Sequence, residues 1–217
     1  MASDLELRTI ETPTHGRYLV RVPDAPGPWP AVFGFHGYGE NAERQMRSLE
    51  RIPGHERWLI VSVQALHRFY HKDELVVASW MTKQDRELAL ADNVRYIGSV
   101  VDAVRREYAT RPPLVFAGFS QGVATAYRAA AHYRADALIA LAGDVPPDVA
   151  ASTEVPLPPV LIGRGTRDEW YTREKHDKDV TTLRGLGLDV ESCVFEGGHE
   201  WTPDFSAAAA SLLARLA

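Results

Sequence analysis

The sequence LVFAGFSQG, residues 114–122, is the segment that indicates the fold most directly. Residues 114–117 form a short apolar run of the kind that becomes a buried strand, and the alanine-rich segment 121–133 predicts a helix directly after it. Between them, Gly118 and Gly122 flank Ser120 where the chain must reverse sharply from strand to helix. The pattern predicts a strained turn that exposes the Ser120 hydroxyl at the end of a central strand.

Strands and helices alternate on both sides of this turn. Buried strands are predicted at residues 31–35, 58–63, 114–117, 137–141, 159–163 and 189–195. Helices are predicted at residues 41–51, 85–108, 121–133 and 172–186, with a last one that begins at Pro203. Strands joined by crossover helices require a mostly parallel sheet with helices on both faces. The sequence therefore indicates an α/β fold, and residues 1–217 are expected to form one domain.

The segment before the first buried strand predicts two further strands. Residues 5–10 alternate polar and apolar side chains, and residues 18–22 are rich in β-forming residues, with a turn at His15-Gly16. They are expected to pair as an opening antiparallel hairpin, which brings the predicted sheet to about eight strands. The proline-rich residues 144–158 predict a surface loop.

Composition and charge narrow the class of protein. The net charge is −5, with acidic and basic residues interspersed, so neither nucleic acid nor an anionic membrane is an expected partner. No run of 18 apolar residues occurs, so membrane insertion is not expected. The single cysteine, Cys193, cannot form an internal disulfide. A cytoplasmic location is expected, and the oligomeric state is left open, a homodimer included.

A serine hydroxyl becomes an effective nucleophile only when a base removes its proton. After the serine, an acid and then a histidine are expected on loops that follow later strands. Asp168 follows the strand predicted at 159–163, and His199 follows the last strand, in the sequence GGHEW. Asp144 and Glu169 are alternatives for the acid, Asp144 ahead of Glu169. The sequence predicts Ser120 as nucleophile, His199 as base and Asp168 as acid.

The tetrahedral intermediate of acyl transfer needs hydrogen-bond donors for its oxyanion. The backbone amide that follows the nucleophile, that of Gln121, is one predicted donor. The other is expected in the glycine-containing loop after residues 31–35, where Tyr38 is the predicted donor and Gly37 lies beside it. His36 is interpreted as structural, holding this loop by hydrogen bonds.

Taken together, five motifs resemble the phospholipase/carboxylesterase family, which includes acyl-protein thioesterase-like enzymes. They are HGxGEN at 36–41, Ser79-Trp80, GFSQG at 118–122, the Asp168 loop and Gly-Gly-His at 197–199. The resemblance covers nearly the whole chain from Ala31. It implies an α/β-hydrolase fold without a large cap domain, and activity on carboxylic esters, thioesters or lysophospholipids, with no metal or cofactor.

The sequence departs from that family at two places. A hydrophobic residue and a proline commonly follow the family's acid, whereas EWYT, residues 169–172, follows Asp168. The basic and aromatic segment 66–72 has no assigned counterpart. The acyl pocket near the acid loop is therefore expected to differ.

Aromatic side chains in the predicted loops are candidates for an apolar pocket. Trp80, Trp170 and Trp201 are the predicted substrate contacts, together with Gly37; most other aromatic residues are interpreted as local packing. The short chain and the absence of an apolar lid helix favour esters with small to medium acyl or aryl groups. The alternatives are a thioesterase, a lysophospholipase or a serine peptidase with the same three residues, and a binding protein that has lost activity.

Overall fold

The computed structural model describes residues 5–72, 74–151 and 157–217. The strands within these ranges are β1 (Arg17–Arg21), β2 (Trp29–Phe35), β3 (Leu59–Gln64), β4 (His67–Tyr70), β5 (Val76–Ser79), β6 (Thr110–Phe119), β7 (Ala137–Leu141), β8 (Val160–Gly165) and β9 (Val190–Phe195). The α-helices are α1 (Ala42–Leu49), α2 (Arg86–Glu107), α3 (Gln121–Tyr133), α4 (Pro147–Ala150), α5 (Arg173–Gly185) and α6 (Pro203–Leu216). In these ranges no helix combines the length and the apolar character needed to cross a membrane.

Seven of the strands form one sheet in the order β1-β3-β2-β6-β7-β8-β9. Strand β1 runs antiparallel to β3, and every other neighbouring pair is parallel. All residues of β3, β7 and β8 are buried, as expected for parallel strands covered on both faces. The carboxyl ends of β2, β6, β8 and β9 therefore lie at the same edge of the sheet, where α/β proteins place their sites.

The predicted opening hairpin is wrong. Residues 5–16 form no strand, and β1 pairs with β3 instead, which leaves seven strands in the sheet where about eight were expected. The amino-terminal segment follows α2 because Gly16 packs on the ring of Tyr96 and Glu11 pairs with Arg95 at 3.1 Å. Residues 5–10 thus alternate polar and apolar side chains as a strand does, but they pair with no other strand.

The other predicted elements lie close to the observed ones. Helix α3 and strand β7 have the predicted bounds, and helix α2 begins and ends within one residue of its prediction. The unassigned segment 66–72 contains β4, which pairs antiparallel with β5 as a separate two-stranded hairpin. In the predicted loop 144–158, the structure forms the short helix α4, and residues 152–156 lie outside the described residues.

The centre of the core joins β2 to β6. Phe116 packs against Phe33 and Phe35, with ring centroids 5.8 Å apart in both pairs, and all three side chains are buried. This packing fixes the carboxyl end of β2 beside the carboxyl end of β6. The loops that leave these two strands carry the predicted oxyanion donors.

Candidate active site

Ser120 lies at the turn between β6 and α3. Its backbone has φ 52° and ψ −119°, a left-handed conformation that costs free energy in a residue with a side chain. The turn is held because the Ser120 amide donates to the Leu141 carbonyl at 2.9 Å, and the Ser120 carbonyl accepts from the Val123 amide at 3.0 Å. The sharp reversal predicted from the glycine spacing is present.

The two flanking glycines are required by close backbone contacts. A Cβ atom on Gly118 would lie 2.5 Å from the Gly122 carbonyl oxygen, and one on Gly122 would lie 2.1 Å from the Phe35 carbonyl oxygen. A third glycine, Gly143, was not predicted from the sequence; its Cβ would lie 2.4 Å from the Ser120 carbonyl oxygen. Only glycine permits the chain to approach this closely at the three positions.

The structure brings Ser120, His199 and Asp168 together. His199 Nε2 lies 2.8 Å from Ser120 Oγ, and His199 Nδ1 lies 2.9 Å from Asp168 Oδ2. Because an ionised carboxylate can only accept, Nδ1 carries the ring proton and Nε2 accepts the hydrogen bond from the serine hydroxyl. The His199 ring is a quarter exposed and packs on Phe119, with centroids 5.0 Å apart, while the Asp168 side chain is fully buried.

The second oxygen of Asp168 is held by its own loop. Oδ1 accepts from the amides of Trp170 and Tyr171, both at 2.9 Å. Tyr171 is buried, and its hydroxyl donates at 2.9 Å to Asp179 Oδ2, which also accepts from the Val145 amide at 3.0 Å. These contacts fix the carboxylate so that its other oxygen faces His199. No sequence pattern pointed to them.

Burial affects the acidity of this supporting network. It raises the pKa of the Asp179 carboxyl, and the hydrogen bonds from Val145 and Tyr171 oppose that rise only in part. Burial next to the Asp179 charge also raises the pKa of the Tyr171 hydroxyl, which therefore stays protonated as a donor. The acid loop is thus tied to α5 and to the loop after β7.

Neither alternative for the acid reaches His199. Asp144 is exposed and lies 3.6 Å from Lys175 Nζ, and Glu169 is exposed beside Asp168. Of the candidates considered, Asp168 is the one that contacts the histidine.

The two predicted oxyanion donors are the backbone amides of Gln121 and Tyr38, in the segments that follow β6 and β2. Gln121 is the first residue of α3, and the first amides of a helix have no acceptor within it and lie at its positive end. In the loop after β2, the Gly37 amide donates to Glu40 Oε2 and the Gly39 amide donates to the Ala78 carbonyl. The Glu40 amide donates to the Gly37 carbonyl. Among the described residues the Tyr38 amide has no acceptor.

His36 holds this loop from inside the core, as interpreted from the sequence. Its Nε2 accepts from the Ala65 amide at 3.0 Å, so its Nδ1 carries the proton and donates to the Gly37 carbonyl at 2.8 Å. Burial lowers the pKa of His36 from 6.5 to about 4. The imidazole is therefore neutral at physiological pH.

The predicted substrate contacts differ in how far their side chains are exposed. Trp80 is 1% exposed and belongs to the core, and its contact with substrate stays a prediction. Gly37 is buried and its amide is already bonded to Glu40. Trp201 is 9% exposed and packs on Phe205, whereas Trp170, in the acid loop, is 76% exposed.

The hairpin β4–β5 lies beside the loop that follows β2. Tyr38 is exposed, and its ring lies 5.6 Å from that of Phe69 in β4. A bridge between Glu40 and Ala78 joins the same loop to β5. Strand β4, within the basic and aromatic segment 66–72, thus lies next to Tyr38.

Among the described residues, no group of three or more His, Cys, Asp or Glu side chains is placed to hold a metal ion. The strained backbone of Ser120 and the His199–Asp168 pair lie at the carboxyl edge of the sheet of an α/β-hydrolase fold.

Comparison with solved structures agrees with this fold and with the resemblance to phospholipase/carboxylesterase-like proteins. Esterase PE8 superposes with a TM-score of 0.75 at 20% identity, over 94% of this chain and 100% of that chain. The Bacillus cereus carboxylesterase has a TM-score of 0.69 at 17% identity, over 92% and 94%. Zea mays acyl-protein thioesterase 2 has a TM-score of 0.70 at 17% identity, over 93% and 99%. No family model and no curated protein matches the sequence.

Proposed function

We propose that the protein is a serine carboxylesterase that hydrolyses small to medium acyl or aryl esters through an acyl-enzyme on Ser120. The observation that carries the proposal is the continuous pair of hydrogen bonds from Ser120 Oγ through His199 to Asp168, at 2.8 and 2.9 Å. A binding protein that has lost hydrolase activity would have no need to maintain the strained backbone of Ser120.

In the acylation step, Ser120 Oγ attacks the acyl carbonyl while His199 Nε2 takes its proton. The carbonyl oxygen becomes an oxyanion that accepts from the amides of Tyr38 and Gln121. His199 then gives the proton to the leaving alcohol, whose bond to the acyl carbon breaks. Asp168 stabilises the imidazolium through Nδ1.

Deacylation repeats the same steps with water. His199 takes a proton from water, which attacks the acyl carbon, and the bond to Ser120 Oγ breaks as that oxygen regains a proton. The products are a carboxylic acid and an alcohol, and Ser120 is restored. The chemistry needs no cofactor, and the proposal is of one domain acting on a small-molecule ester in the cytoplasm.

Covalent labelling tests the proposal directly. A fluorophosphonate should form one adduct, on Ser120, and Ser120→Ala should lose both the adduct and on the order of 10⁴-fold or more in kcat on p-nitrophenyl butyrate. Ser192 provides an internal control, since its Oγ also lies 3.0 Å from a histidine nitrogen, that of His176, but on β9 without a helix start beside it. A folded wild-type protein with no adduct on Ser120 would refute the proposal.

A chain-length panel then tests the acyl group. Activity should be highest from acetyl to medium chains, and a steady rise to long-chain nitrophenyl esters would contradict the proposed substrate class. Thioester hydrolysis is the second candidate, because one of the similar structures is a thioesterase. A matched oxygen ester and thioester of the same acyl length distinguish the two, and a peptide substrate tests the peptidase alternative.

A further inference from the structure

A chain of hydrogen bonds joins the two proposed oxyanion loops through the core. It begins at the Gln121 side chain, whose Oε1 accepts from the Trp80 amide at 2.9 Å and whose Nε2 donates to the Met81 carbonyl at 3.0 Å. Both ends of this side-chain amide also lie within 3.3 Å of Ser79 Oγ. The start of α3 is thereby attached to the segment that follows β5.

The chain continues through Trp80 to the other loop. The Trp80 indole N–H donates to the His36 carbonyl at 2.8 Å, and the Nδ1–H of His36 donates to the Gly37 carbonyl at 2.8 Å. The Gly37 carbonyl belongs to the peptide unit whose nitrogen is the Tyr38 amide. One end of the chain is therefore residue 121 and the other is the peptide that carries the second donor.

The members of this chain are rigidly held. Trp80 packs against the rings of Phe35 and His36, at 5.6 and 5.3 Å, and its carbonyl accepts from Asn93 Nδ2 at 2.6 Å. Trp80 and His36 are both buried, so water does not replace these hydrogen bonds if one of them is lost. A buried aromatic side chain that is hydrogen-bonded and packed on its neighbours keeps one position. It can therefore fix the distance between the segments that it joins, whereas mobile surface contacts cannot.

We propose that the Gln121 side chain, Trp80 and His36 are positioning residues that fix the spacing between the Gln121 and Tyr38 amides. The inference rests on the proposed function and assigns Trp80 a new part in it: Trp80 orients the oxyanion donors and does not contact substrate. Removing one oxyanion donor lowers kcat on the order of 10²–10³-fold. Displacing a donor should lower kcat by less than removing it.

Substitutions in this chain of hydrogen bonds leave the backbone amides of Gln121 and Tyr38 in place. Trp80→Phe removes the indole N–H and keeps an aromatic ring, and Gln121→Met removes the side-chain amide while residue 121 keeps its backbone N–H. Trp58→Phe is the matched control, since Trp58 is equally buried in the core and lies at the start of β3, away from both loops. Thermal melting of all three variants verifies that they fold.

Steady-state kinetics on p-nitrophenyl butyrate should separate the variants. Trp80→Phe and Gln121→Met should lower kcat by about 10- to 100-fold with KM within about threefold, and Trp58→Phe should match wild type. The loss of kcat/KM should be equalled by weaker inhibition by a trifluoromethyl ketone, whose adduct on Ser120 carries the same oxyanion. The pH profile should keep its shape, because the Ser120–His199–Asp168 contacts are unchanged.

The outcomes distinguish this inference from the proposed function. If wild type hydrolyses the ester and both folded variants match Trp58→Phe, the positioning role is refuted and the esterase proposal stands. If kcat falls but the pH profile shifts or ketone inhibition is unchanged, the substitutions act on the histidine rather than the oxyanion, and the inference is also overturned. If wild type neither hydrolyses esters nor forms a fluorophosphonate adduct, the proposed function fails first.

Discussion

At the scale of single residues, the loop that carries His199 depends on the absence of a side chain at Gly165. A Cβ atom there would lie 2.3 Å from the Gly198 carbonyl oxygen and 2.4 Å from that of Gly197. Backbone atoms cannot yield as a flexible side chain can, so the residues directly before His199 must shift. A displacement of 1 Å at a reacting group is enough to cost about 10²-fold in rate.

We therefore expect Gly165→Ala to lower kcat by about 10²-fold and to reduce the free energy of unfolding by about 1–3 kcal/mol. Gly185→Ala is the control: Gly185 is the last residue of α5 and has no atom within 4 Å of a built Cβ. Ester hydrolysis and urea unfolding measure both variants. Equal activities of the two would contradict the proposed role of the contact.

Sequence reasoning at this scale identified residues by their chemistry but could not determine their exposure. Ser120, Asp168 and His199 were predicted from their order and from the strand ends that they follow. Trp80 was grouped with Trp170 because both are aromatic residues in predicted loops, yet one is buried and the other exposed. Burial depends on contacts between distant segments, and those contacts leave no local pattern in the sequence.

At the scale of secondary-structure elements, α4 is attached to α3 by one ion pair. Arg128 donates to both oxygens of Asp148, from Nε at 2.8 Å and from Nη2 at 2.6 Å. The Arg128 side chain is 7% exposed and the Asp148 side chain is 52% exposed. Hydrogen bonds from Arg128 lower the pKa of the Asp148 carboxyl. The short helix therefore supplies the counter-charge for a buried guanidinium.

Asp148→Asn should destabilise the protein by about 1–3 kcal/mol, because Arg128 would stay buried without a carboxylate partner. Asp92→Asn breaks the pair with Arg95 on the exposed surface of α2, and should cost less than about 0.5 kcal/mol. Urea unfolding at neutral pH compares the two variants. A similar small effect for both would show that α4 contributes little to stability.

The elements themselves were predicted better than their pairing. Apolar periodicity located α2, α3 and β7 because each buries a face or a whole strand against the sheet. The same reasoning failed for residues 5–10, whose alternation is that of a strand although they form none. Periodicity reports which side chains can share a face and does not report which strand, if any, lies beside them.

At the scale of the whole molecule, His36 makes stability depend on pH. Its pKa is lowered from 6.5 to about 4 by burial, so the unfolded chain binds its proton more readily than the folded protein does. A lowered pKa in the folded state gives stability that is complete above the unfolded value, about pH 6.5, and is lost as the pH falls toward 4. The shift corresponds to about 3 kcal/mol.

We expect the free energy of unfolding of wild type to fall between pH 6.5 and 4 more steeply than that of His36→Gln, by up to about 3 kcal/mol over the interval. The variant should be less stable than wild type at pH 7, because the buried hydrogen bonds to Ala65 and Gly37 are weakened. Exposed His67 provides the control, and His67→Gln should retain the wild-type slope. Equal slopes for wild type and His36→Gln would refute the assignment.

The parallel order of the sheet followed from the alternation of strands and helices, whereas the sequence of neighbours across the sheet did not. Strand β9, the last strand along the described part of the chain, is an edge strand and pairs with β8 alone. His199 lies just beyond it, 79 residues after Ser120.

Polypeptides are synthesised from the amino end, and their segments begin to fold as they emerge. The turn at Ser120 can therefore form while His199 has not yet been translated. During that interval the proposed nucleophile is an ordinary alcohol, because no base is present to take its proton. The nascent chain thus stays chemically inert until β9 docks at the edge of the sheet and His199 reaches Ser120.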